Sequence, residues 1–404
     1  LKSSARRPRR PRPRRPSRWH PRPSMWPLLL PCLALAVGAA VPQQPPALDF
    51  EAYCAAFGKN YSGDERARRK AVYDERLAEH ARLNARATAT WVAGPNAMTD
   101  LFPEEMRRFF GYAGRAGGEE AAGDVLMEAM SEDSVPLPES VDWRQRAPEI
   151  VPRVRDQGAC GSCWAFAAVA AIESAVAKAT GTMLNLSQQQ LTSCTANPRK
   201  CGGDGGCAGA TAALAFNYTK HHGLASDAAA PYKSGTTLVT EACQSLDDYS
   251  PSAGIKGFVQ LPLNNALALM RASARHGLIT VSVDASFWWL YAGGVFDECS
   301  KANPIPNHAV TLVGYGQDHG TKYWLILNSW GTTFGEQGYI RLRRYDEEPC
   351  GVNTDPRQNT GCEGGPAEVE VCGECGVLSD SSYPVGAFLA ADGGSRRLRG
   401  GLFV

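Results

Sequence analysis

Gln157-Gly158-Ala159-Cys160-Gly161-Ser162-Cys163-Trp164 is the stretch on which the rest of the chain turns. The residues after it, Ala165–Lys178, are rich in alanine and hold no glycine or proline. Within them Phe166, Val169, Ile172 and Val176 recur three or four apart, which predicts a helix. Cys163 then stands at the helix N-terminus, where the dipole and free N–H groups favour the thiolate. A thiolate is a strong nucleophile and a neutral thiol a weak one. Two other chemistries use Cys-x-x-Cys, a thioredoxin-like redox pair and half of a zinc site. The first calls for a βαβ setting and the second for another Cys-x-x-Cys at zinc-finger distance, and the sequence offers neither.

Working outward, Cys160–Trp164 satisfies C-G-[SA]-C-[WY] at all five positions. The chain thereby resembles papain-family cysteine protease precursors, most nearly the cathepsin L-like group. The resemblance implies an α+β fold of two lobes, one built on the Cys163 helix and the other a β-rich, barrel-like sheet, with an extended peptide bound between them. It makes Cys163 the nucleophile and Gln157 an oxyanion-hole side chain, a donor aimed at the oxygen of a tetrahedral intermediate. No cofactor and no metal is implied.

Of seven histidines, His20 and His80 precede the expected mature protein, while His221, His222, His276 and His319 sit in polar turns or at element ends. His308 heads an apolar run that continues through Ala309–Tyr315, and it lies 145 residues after Cys163, within the family's usual separation. Asn328 follows a second apolar run, Tyr323–Leu327, inside Asn328-Ser329-Trp330-Gly331. By resemblance His308 is the base, Asn328 orients its imidazole and Trp330 shields the pair from water. The expected chemistry is a Cys163 thiolate paired with a His308 imidazolium, acylation to a thioester, then hydrolysis.

The 404 residues carry 42 Lys+Arg against 41 Asp+Glu, a formal charge of +1, with 44% hydrophobic and 21% charged residues. Such values exclude a wholly disordered or collagenous chain, and no apolar run reaches the roughly 18 to 20 residues of a spanning helix. The near-neutrality is local in origin. Residues 1–24 hold ten Lys+Arg and no acids, residues 25–135 hold 11 basic against 16 acidic, and residues 136–404 hold 21 against 25. The Arg/Pro-rich residues 1–24 read as sequence upstream of a true start at Met25; a basic nucleic-acid-binding arm is the rival reading, and no nucleic-acid partner is expected. Residues 25–41 have the short apolar core and small-residue end of a secretory signal. That places the protein in the secretory pathway, in a lysosome or vacuole or outside the cell, without stable membrane insertion.

Residues 42–135 are expected to form an inhibitory propeptide and 136–404 the peptidase domain. Glu65, Arg69, Tyr73, Arg76, His80 and Asn84 follow helical spacing and resemble the family's ERFNIN pattern, with His80 and Arg76 departing from it. Gly94, Asn96, Met98 and Asp100 resemble its GNFD motif. The alternative for this unit is a helical dimerisation domain. The acids of residues 25–135 suggest that protonation weakens ionic docking to the enzyme. Implied partners are peptide and protein substrates, the chain's own propeptide and cystatin-type inhibitors.

Thirteen cysteines point to an oxidising compartment. The resemblance implies Cys160–Cys207, Cys194–Cys243 and Cys299–Cys375; the pairing of Cys201, Cys350, Cys362 and Cys372 stays open. A stapled surface loop is the expectation for residues 346–374, with a metal site at Cys372 and Cys375 as the rival. Also by resemblance, Gly209 lets substrate backbone approach, beside Ala210 where the family has a second glycine, and Phe334 stands in place of a usual tryptophan. Asp380 falls at the base of the S2 pocket, walled by Ala309 and Ala212, which suggests acceptance of Arg as well as Leu or Phe at P2. Asn185-Leu186-Ser187 and Asn217-Tyr218-Thr219 are glycosylation sequons.

Overall fold

The computed structural model describes residues 48–111, 126–127, 136–244 and 249–390. The basic segment 1–24, the signal-like residues 25–41, most of the Gly/Glu-rich linker and the end of the tail lie outside the described residues.

The expected helix spans Cys163–Thr180 and ends at Gly181, whose φ of +75° suits glycine. Its alanines let neighbours approach on every side, so the helix runs through the core of its lobe. Among the described helices it alone is long and apolar enough to cross a bilayer, and 78% of it is buried inside the protein, as befits a core helix. Two shorter helices pack on it, Gln188–Cys194, capped by Ser187, and Ala212–His222, capped by Thr211. Trp164, Ile172, Leu186, Leu191 and Phe216 fill the space between. Both sequons take part in this packing. The Ser187 hydroxyl caps a helix, and Asn217 sits within one while Thr219 bonds the Ala215 carbonyl.

The second lobe is a ten-stranded, mostly antiparallel sheet. From one edge the order is Trp91–Ala93, Tyr291–Phe296, Tyr339–Arg343, Thr321–Leu327, His308–Asp318, Ile279–Val283, Ser381–Val385, Gly257–Gln260 and Leu126–Met127, with Val141–Asp142 also paired to His308–Asp318. Among the described residues this is the strand-rich lobe that the sequence suggested. Its central strands are buried on both faces, which is why they read as continuous apolar runs rather than alternating ones.

Residues 48–111 are helical only in part. Phe50–Ala56, Gly63–Asn84 and Pro103–Met106 are helices, and Phe50, Tyr53 and Tyr73 make their aromatic core. Between them, Trp91–Ala93 joins the edge of the sheet, antiparallel to Tyr291–Phe296. The two resembled motifs meet around this turn of chain. Arg69 grips Glu105 with both guanidinium nitrogens, at 2.6 and 2.7 Å. Arg76 donates to the carbonyls of Met98 and Leu101, and Asn84 exchanges hydrogen bonds with the Ala93 backbone. Asp100 is fully buried, accepting from Tyr53 and paired with Lys59.

The three implied disulfides form, and the four remaining cysteines pair as Cys201–Cys362 and Cys350–Cys372. The acid-and-cysteine clusters Cys299/Glu374/Cys375 and Cys350/Glu370/Cys372 therefore hold disulfide sulfurs rather than thiolates, which removes the rival metal reading of Cys372 and Cys375. Cys54 and Cys163 are the free cysteines among the described residues.

Candidate active site

Cys163 opens its helix just after N-cap Ser162, so its backbone N–H belongs to the first turn that lacks intrahelical acceptors. The His308–Asp318 strand starts opposite, and the Ala309 N–H donates to Cys163 Sγ at 3.3 Å. One strand over, Asn328 follows Thr321–Leu327 and its Oδ1 lies 2.8 Å from His308 Nε2. This pairing leaves His308 Nδ1, which is buried and makes no hydrogen bond, as the nitrogen that can take up a proton. Trp330 stacks on the imidazole at 4.8 Å and is itself 5% exposed. Trp288 meets the same ring edge-on, and Phe334 packs across Trp330 at 5.1 Å. Phe334 thus keeps the aromatic cluster filled with a smaller ring.

Gln157 is completely buried. Its Oε1 accepts from Ser329 Oγ at 2.6 Å, which fixes the amide and turns Nε2 toward the groove. There Nε2 donates to the Phe109 carbonyl at 3.0 Å. A backbone carbonyl of residues 48–111 therefore accepts from the amide that the sequence expects to serve an oxyanion. Phe109 and Phe110 both lie against Trp330, and a Cβ on Gly111 would collide with Cys163 Sγ. Gly209 has a φ of +96°, and a Cβ there would strike the carbonyls of Gly111 and Gly202. From Trp330 past Cys163 to Gly209, the backbone of residues 109–111 lies against the site.

This covering changes the electrostatics that the sequence suggested. Burial pushes the Cys163 thiol up to about 12 despite the Ala309 N–H, and burial pushes the His308 imidazole down to about 4 despite its bond to Asn328. Burial thus disfavours the charged form of each group while residues 109–111 cover them; the thiolate–imidazolium pair expected from the sequence belongs to the uncovered site. Desolvation opposes both charges and outweighs the helix N-terminus.

Asp380 sits at the start of the Ser381–Val385 strand, half-buried. Its carboxylate accepts from Ser282 Oγ at 2.6 Å, and Ser282 pairs across the sheet with Ala309. The carboxylate is therefore two strands from the backbone that touches Cys163. Ala309, Ala210 and Ala212 are buried in one apolar cluster with Cys163. Sequence reasoning missed Ser282; a serine in the apolar run Leu278–Asp284 was its only signal.

Most ion pairs of residues 48–111 are internal to that segment, while the acids Glu119, Glu120, Asp124, Glu128, Glu132 and Asp133 of the expected ionic docking lie outside the described residues. Among the described residues one ion pair, Arg86–Glu298 at 2.6 Å, joins residues 48–111 to the rest of the protein. Lys59–Asp100, Arg66–Glu51, Arg69–Glu105 and Lys70–Asp74 are internal to the segment.

Comparison with known proteins gives a consistent picture. The model for papain family cysteine proteases matches residues 137–360, and that for the cathepsin propeptide inhibitor domain (I29) matches residues 50–106. Cathepsin J of Rattus norvegicus is 35% identical over 80% of this chain and 95% of its own length. Cathepsin L of Sarcophaga peregrina is 34% identical over 73% of this chain and 87% of its own. The digestive procathepsin L 3 of Tenebrio molitor larval midgut superposes with a TM-score of 0.63 at 29% identity, covering 82% of this chain and 96% of that one.

Proposed function

The chain belongs to the papain family of cysteine proteases and carries a cathepsin-type propeptide, and from that premise we propose that it is a cathepsin L-like endopeptidase made as a zymogen. Residues 42–135 are the inhibitory propeptide and 136–404 the peptidase. The observation that carries this reading is the convergence of Cys163, His308, Asn328 and Gln157 on one groove already filled by prosegment backbone.

Once the prosegment leaves, water reaches the site and the thiol proton moves to His308 Nδ1. The Cys163 thiolate attacks the scissile carbonyl carbon and forms a C–S bond. Gln157 Nε2 and the Cys163 N–H receive the developing oxyanion. His308 gives its proton to the leaving amine as the C–N bond breaks. Water, deprotonated by the same imidazole, then cleaves the thioester. Asn328 holds the ring through both halves, and Trp330 keeps solvent off the Asn328–His308 bond.

Gly209 and Asp380 take the residues N-terminal to the scissile bond. A carboxylate fixed by Ser282 at the floor of an otherwise alanine-walled pocket favours a P2 guanidinium alongside Leu or Phe. Asp380→Ala is expected to lower the ratio of P2-Arg to P2-Phe cleavage about fivefold, the size of one partly exposed charge pair at about 1 kcal/mol; an unchanged ratio sinks the assignment. Five disulfides and the signal-like segment support a secretory route to a lysosome, vacuole or the exterior, and the freed groove would accept cystatin-type inhibitors. Titration of the converted enzyme with an epoxide inhibitor of cysteine proteases, followed by peptide mapping, tests the whole reading. Stoichiometric label on Cys163 with loss of peptidase activity is expected, and activity surviving full labelling contradicts it.

A further inference from the structure

Between the Tyr339–Arg343 strand and Cys375 the chain leaves the β-rich lobe as a hairpin. Cys350–Asn353 pairs antiparallel with Val369–Cys372, and the Cys350–Cys372 disulfide ties the base. The root rests on the segment that leads into His308. The Val352 N–H donates to the Ala302 carbonyl at 3.1 Å, Gly351 lies against the carbonyls of Lys301 and Ala302, and Asn264 bonds both Glu370 and Cys372.

The far end lands on the other lobe. Cys362 is bonded to Cys201, the Gly202 N–H donates to the Gly361 carbonyl at 3.1 Å, and the Glu363 N–H donates to the Arg199 carbonyl at 2.8 Å. Lys200 adds an ion pair to Glu363. The receiving loop leads directly to Cys207, which is bonded to Cys160 beside the nucleophile. Its Gly202 carbonyl, together with that of Gly111, closes the space where a Gly209 side chain would stand. The landing point is thus the loop whose Gly202 backbone borders Gly209. The end of the hairpin has its own fixed structure. Buried Asn359 donates to the Asp355 carbonyl and accepts from the Thr360 N–H, and Asn353 accepts from the Asp355 N–H.

We propose that this strap, closed by Cys201–Cys362, bridges the two lobes across the Gly209 end of the groove and limits how much substrate can lie N-terminal to the scissile bond. The proposal rests on the assignment of Gly209 and Asp380 to that side of the cut. A strap there stops the groove at the Gly209 end, so a long N-terminal flank must bend out of the groove or be excluded. A disulfide makes the stop covalent; a hydrogen-bonded loop alone could swing away.

The test is a peptide series with one fixed core around the scissile bond, lengthened on the N-terminal side from two residues to six. With converted wild-type enzyme, kcat/KM is expected to fall at least tenfold from the shortest to the longest peptide. In Cys201→Ser/Cys362→Ser the fall should shrink to under threefold. A second variant, with residues 353–369 excised above the retained Cys350–Cys372 disulfide and Cys201→Ser, serves if the first fails to fold. A flat or rising series in the wild type overturns the proposal. So does an undiminished fall in a strap-opened variant that still takes epoxide label at Cys163. Failure of the protease reading itself looks different: even the shortest peptide stays uncut and Cys163 unlabelled.

Discussion

At the Tyr291–Phe296 strand the prosegment is held by many weak contacts, whereas at Cys163 it is held by few. The first region adds the three-residue strand Trp91–Ala93 to the sheet edge, with the Gly94 N–H bonded to the Leu290 carbonyl and Asn96 bonded to Trp289. Arg76 lies over the Trp289 ring at 4.5 Å and His80 packs beside it. The second region offers the Phe109 carbonyl to Gln157 and the bare backbone of Gly111 to the nucleophile. Inhibition is therefore divided. Among the described residues more contacts gather at the distant anchor, and the groove holds a length of main chain that removes water from two titratable groups.

The anchor should give the largest response. Trp289→Ala removes the surface on which Arg76 and His80 lie, and loss of a central aromatic anchor costs about 2 kcal/mol or more. Zymogen conversion at neutral pH is expected to accelerate about 30-fold; conversion at the wild-type rate would move the affinity to the groove and reverse the comparison.

His80 gives the anchor a pH dependence. Burial, helped by the charge of Arg76, pushes its imidazole down to about 4, and neither ring nitrogen has a hydrogen-bond partner. Unfolded, the group titrates near its ordinary value of about 6.5. Its neutral form therefore contributes full stability above about pH 6.5 and progressively less as the pH falls toward about 4, a loss of about 3 kcal/mol in order of magnitude. Glu105 acts in the same direction. Burial opposes its charge, yet the Arg69 hydrogen bonds prevail and hold it below the usual carboxylate range, so its contribution disappears as acid protonates it. His80→Leu is expected to move the onset of conversion, followed on gels across pH 4 to 7, by about one unit toward acid. An onset unchanged from wild type would assign the acid trigger elsewhere.

The smallest effect belongs to Arg86–Glu298, the pair that the acid content of the segment would have made one of many. Both side chains are about a third exposed, and such pairs contribute about 1 kcal/mol or less. Arg86→Ala should change the conversion rate less than fivefold; a larger change would restore ionic docking as the main anchor.

These contrasts also show what a sequence can carry. Cys160–Trp164, His308 and Asn328 were legible because each is a local motif at an element boundary, and apolar runs a few residues long revealed the strands that deliver them. The helical spacing of Arg69, Tyr73 and Asn84 was equally plain. Trp91–Ala93 was not, since three residues carry no periodicity and their partner lies some 200 residues away. Nor was Cys201–Cys362, because four leftover cysteines allow three pairings that only tertiary structure separates. The covering of Cys163 and His308 escaped for a related reason: helix position favours the thiolate locally, but burial by a distant segment opposes the charge.

The most direct test of the account is the rate at which iodoacetamide alkylates Cys163 at pH 7 in the intact zymogen and after conversion, with the alkylated residue identified by peptide mapping. A rise of at least a thousandfold on conversion is expected, as the neutral, covered thiol becomes a solvated thiolate beside an imidazolium. Equal rates in the two forms would contradict the claim that the prosegment silences the enzyme by covering and neutralising its catalytic pair.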